Sequence, residues 1–109
     1  MKFLLIVTAL FSADPDTIKT NLAFYGGPKH YSVFETKNTC IVSGDQVEIQ
    51  FEELEPMVFT ISRKRKIRHL KATWYKIEGE GETEYFTYKA SGFAFYDPET
   101  KAMDTYLLR

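Results

Sequence analysis

A single cysteine is the first limit on what this chain can be. One thiol cannot close an internal disulfide or build a cysteine-based zinc site. Cys40 sits in the apolar run Thr39-Cys40-Ile41-Val42, with nothing beside it to lower a thiol pKa, so it reads as a small core filler. Histidine is nearly as scarce: His30 and His69 are the only side chains expected to titrate near neutrality. With Cys40 they are too scattered to form a recognisable metal-ligand set, and no Asp-rich loop has calcium spacing. Gly26-Gly27-Pro28-Lys29 lacks the spacing and the Lys-Ser/Thr pair of a phosphate loop. No local signature marks a nucleophile with its base. The expectation is a non-enzymatic protein without metal or cofactor. A hydrolase or transferase built on His30 or His69 with a nearby Glu is the remaining catalytic alternative.

Long apolar runs are also missing. The stretch at residues 3–11 is too short to cross a bilayer, although it has the one positive charge and small flanking residues of a signal peptide. It reads instead as a buried strand over 3–10, apolar on both faces. That reading places the protein in the cytoplasm or within a viral assembly, away from membranes. The formal net charge of −1 argues against polyanion binding by the molecule as a whole.

Aromatic side chains are abundant: nine Phe and seven Tyr in 109 residues, a bias towards pleated surfaces. The length suits one domain, 1–109. Asp14 as N-cap, Pro15 at the first helical position, Asp16 at the positive end of the dipole and Gly26 as stop predict a short helix over 15–25. Ile18, Leu22 and Tyr25 would form its apolar stripe. From residue 30 the period becomes two, with strands expected at 30–35, 39–43, 46–51, 57–62 and 67–77. Ser43-Gly44-Asp45 and the Glu-Gly repeat at 78–82 read as hairpin turns. Residues 84–96 read as one strand bent at Ser91-Gly92. Asp97-Pro98-Glu99-Thr100 reads as a type I turn before a last strand at 102–108. The fold class is therefore α+β and β-rich. One short N-terminal helix packs on a mostly antiparallel, twisted meander of about seven to nine strands, with curling into an open barrel as one form of it.

The most informative feature is where the charges fall. Arg63, Lys64, Arg65, Lys66, Arg68, Lys71 and Lys76 are half of the Lys and Arg, and an acidic run from Glu78 to Glu84 follows at once. Such segregation governs what can approach each side of a fold. The basic patch, Arg63, Lys64, Arg65, Lys66, Arg68 and Lys71, would dock onto an acidic protein partner or a second copy. Trp74, Tyr75, Tyr85, Tyr88 and Tyr96 would offer aromatic contact area. The leading expectation is a protein–protein interaction module, such as a virion or assembly component or a small inhibitor of a larger protein. Alternatively, the basic and aromatic segment 63–76 binds single-stranded nucleic acid through phosphates and stacked bases. The purely structural account makes the cations a solvated strand edge and Trp74 a core residue.

Overall fold

The structure is a computed structural model that describes residues 16–79 and 84–109. Eight strands follow one another: β1 (Asp16–Gly26), β2 (Tyr31–Ser43), β3 (Gln46–Gln50), β4 (Met57–His69), β5 (Ala72–Glu78), β6 (Tyr85–Lys89), β7 (Gly92–Asp97) and β8 (Ala102–Leu107). Each is antiparallel to the next, and β8 returns to pair with β1, closing a barrel in simple meander order. The described residues contain no helix, so the α+β expectation is corrected to all-β, and the open barrel to a closed one. The strand expected over 3–10 lies outside the described residues.

The helix expected over 15–25 is strand β1. Its apparent helical stripe has a specific cause. Ile18, Thr20 and Ala23 are buried, and the register shifts between Thr20 and Leu22. A bulge adds one residue to the alternation, so Ile18 and Tyr25, seven apart and of opposite parity, both turn to the core. A separation of seven is also two helical turns, which is why these two residues suggest a helix face. Thr17, Ile18 and Thr20 are β-branched and suit the strand they form. At the bulge, Thr20 Oγ1 donates to the Asn38 carbonyl at 3.3 Å, which satisfies a buried hydroxyl.

Two further expectations are corrected. The long strand at 67–77 is a hairpin: Leu70 (φ 51°) and Lys71 (φ 62°) make a two-residue left-handed turn between β4 and β5. Such turns favour Gly or Asn, and neither is present to announce it. The single bent strand at 84–96 is likewise two strands, β6 and β7, paired from Tyr85↔Tyr96 to Lys89↔Gly92. Gly92 is required there because a Cβ would collide with the carbonyl oxygen of Tyr106 on β8. The turn at Gly44 (φ 60°) between β2 and β3 lies where the sequence puts it.

Alternation sends one face of every strand inward. Phe86, Ile49, Ile61, Val47 and Cys40 are fully buried, with Phe93, Phe95 and Tyr106 close behind. The rings interlock: Phe86 and Phe95 have centroids 5.2 Å apart, and Phe93 stacks on Tyr106 at 4.6 Å. An eight-stranded barrel is just wide enough for such side chains to fill it. Burial pushes the Cys40 thiol up to about 12, in keeping with a packing role.

Candidate functional site

The basic segment occupies the far half of β4 and the turn that follows. Ser62 pairs with Lys76, but the next pair is Lys66 with Tyr75, so Arg63, Lys64 and Arg65 have no counterpart on β5. This three-residue bulge lets the distal hairpin, residues 66–75, leave the barrel's own curvature. It forms an arm on the outer face of β6, β7 and β8.

The arm is two-faced. Ile67, Ala72 and Trp74 pack against Tyr85, Ala94, Tyr96 and Met103 in a second apolar cluster outside the barrel. The His69 ring lies flat on Tyr96, with centroids 4.5 Å apart and 12° between planes. Trp74 is 3% exposed, and its indole Nε1 donates to the His69 carbonyl at 2.9 Å. Thr87 Oγ1 donates to the Thr73 carbonyl at 2.7 Å, fastening the arm to β6. The opposite face carries Lys66 and Arg68, with Lys64 and Arg65 in the bulge and Lys71 in the turn; all five are exposed. None of the five makes an ion pair with a carboxylate among the described residues.

Arg63 behaves differently. Its guanidinium donates to Asp45 Oδ1 (3.1 Å), to the Gly44 carbonyl (2.8 Å) and to the Tyr88 hydroxyl (3.0 Å). It also lies over the Tyr75 ring at 5.1 Å from the centroid. These donor bonds hold its proton more firmly than usual, the Tyr88 bond contributing most. Arg63 ties the bulge to the β2–β3 turn and to β6, and has little left for a ligand.

Of the six cations singled out in the sequence, five are exposed and Arg63 is engaged within the fold. The expected aromatic residues divide into two groups. Trp74, Tyr85 and Tyr96 belong to the outer cluster, while Tyr75 and Tyr88 clasp Arg63. Asp45, which anchors Arg63, carries no local signal of that role; it is simply part of a tight turn. The Glu-Gly turn lies partly outside the described residues. His30 is exposed in the β1–β2 turn and His69 is engaged with Tyr96, and no three His, Cys, Asp or Glu among the described residues are grouped to hold a metal. No described helix is long and apolar enough to cross a membrane.

Compared with protein-family models, curated proteins and solved structures, the chain matches none of them.

Proposed function

We propose that this domain is a non-enzymatic interaction module that docks an acidic protein surface through the solvent face of the β4–β5 arm. One observation carries the reading: Lys64, Arg65, Lys66, Arg68 and Lys71 are exposed together without an anionic partner among the described residues, while the arm's Trp74 is buried against the barrel's outer face. Clustered surface cations steer an oppositely charged partner over roughly a Debye length, about 8–10 Å in ordinary salt. A folded protein with a carboxylate patch needs no stacking platform. A single-stranded nucleic acid does, and Trp74 and Tyr96 are buried beneath the arm at 3% and 8% exposure. The partner would be a component of a shared assembly or a larger protein that this domain inhibits.

The test compares poly-glutamate with a single-stranded oligonucleotide of equal charge at low and physiological salt, following Trp74 fluorescence. Poly-glutamate is expected to bind in a salt-sensitive way without quenching, and a Lys64→Glu, Arg65→Glu, Arg68→Glu variant is expected to lose that binding. Tighter oligonucleotide binding with quenched Trp74 would transfer the site to nucleic acid. No binding of either polymer at low salt would remove the arm as an electrostatic site.

A further inference from the structure

Away from the arm, at the end of the barrel where β4 begins and β5 ends, the packed interior opens into a cavity of about 180 Å³. Phe59, Ile77, Phe95 and Tyr106 form its walls, and Met57, Glu84 and Asp104 complete its lining. The rings meet at steep angles. Phe59 and Phe95 are 5.6 Å apart and tilted by 57°, and Phe95 meets Tyr106 at 85°. Ring faces and edges are therefore offered to one small volume.

Asp104 is the unexpected residue here. It lies on the inward-facing side of β8, in step with Tyr106, and its cross-strand neighbours are Tyr25 on β1 and Phe95 on β7. Every other wall contact is aromatic or aliphatic apart from Glu84. No cation among the described residues pairs with Asp104, and its half-buried carboxyl is lifted above the ordinary carboxylate range by burial. A carboxylate set in apolar surroundings is costly unless a positive charge joins it.

We propose that this barrel mouth binds a small organic cation of the methylated-ammonium class, with the Asp104 carboxylate as its counter-charge and Phe59, Phe95 and Tyr106 as its walls. The choice of occupant follows from charge and from surface chemistry. An anion is repelled by Asp104. A hard metal ion needs several oxygens in place of its water, and apolar walls cannot supply them. An uncharged guest leaves Asp104 unpaired. A methylated ammonium is weakly hydrated, is attracted by ring faces, and matches a cavity of this size.

The experiment titrates the full-length protein with choline and, separately, with its uncharged carbon analogue dimethylbutanol, following the ring-proton signals of Phe95 and Tyr106 by NMR. Choline is expected to shift these signals at millimolar concentrations, with the uncharged analogue about tenfold weaker. Asp104→Asn should bring choline down to the level of the analogue. The titratable groups facing Asp104 are Tyr25, Tyr106 and Glu84, and burial raises Tyr106 above the ordinary phenol range. Choline affinity should therefore rise as pH climbs through the raised value of Asp104.

A stability control separates lost binding from lost folding. A carboxyl raised in the folded state favours folding below its ordinary value, and that contribution disappears as pH rises through the raised value. Asp104→Asn removes the loss, so relative to the wild type it should gain stability between acid and neutral pH. Equal binding of choline and dimethylbutanol, or no shift with either, would overturn the proposal. Unchanged choline binding in Asp104→Asn would do the same. These outcomes are independent of the arm, whose own tests involve different residues.

Discussion

The two faces of the barrel wall bury aromatic residues under different rules. Inside, every strand contributes to one cluster, and Phe86, near its centre, touches Phe59, Tyr88, Phe93 and Phe95. Outside, Trp74, Tyr96, Ala94 and their neighbours come from β4 to β8 only, with the arm packed over them. The inner cluster cannot loosen without opening the ring of strands. The outer one can open by lifting one hairpin, whose backbone pairing to β6 runs through Tyr75↔Phe86 and Lys76↔Tyr85 with the Thr87 bond beside it. Local opening of this kind draws on the less stable part of a fold.

This contrast can be broken most severely at Phe86. Phe86→Ala is expected to cost about 3–5 kcal/mol, because closed neighbours cannot collapse into the space. Urea denaturation would measure it, and a loss much below that range would mean that the interior is looser than its interlocked rings imply. Trp74→Ala acts on the outer cluster and should cost about 3 kcal/mol, the low end for such truncations. Its distinguishing sign is local: amide exchange should accelerate at residues 66–75 while β2 and β3 remain protected. Uniform acceleration along the whole chain would show that the arm is part of the global fold.

Arg63 connects the two regions, since it holds the bulge from which the arm departs. Arg63→Met keeps much of the apolar stem and removes the hydrogen bonds. With the side chain 39% exposed, the net cost should be only about 1 kcal/mol. A change in arm exchange larger than in Trp74→Ala would make the bulge, not the outer cluster, the element that sets the arm in place.

Much of the sheet was legible because alternation is local. Val47 and Ile49 face inward and Glu48 and Gln50 do not, as their order in the chain requires. The turn at Gly44 was equally plain, since a glycine at positive φ is its own signal. β1 was not legible, because its bulge at Thr20–Leu22 brings Ile18 and Tyr25, two helical turns apart, to one side, and the partners that make it a strand, β2 and β8, lie far along the chain. The turn at Leu70–Lys71 carries no glycine, so only the closing of the hairpin around Trp74 and Ile67 reveals it.

The candidate site divides in the same way. A run of Arg and Lys cannot be hidden in a barrel core at tolerable cost, so its clustering at the surface was set by composition and order alone. Which cation is withheld was not. Arg63 meets Asp45 and Tyr88, 18 and 25 residues away, and no neighbour in the chain foretells either contact. The burial of Trp74 against Tyr96 on the outer face, and the placing of Asp104 between Tyr25 and Phe95, likewise arise only when distant strands come together. Local order fixed the pleat and the charge; closure of the ring decided which groups remain free to bind, because burial is settled by neighbours that only the fold supplies.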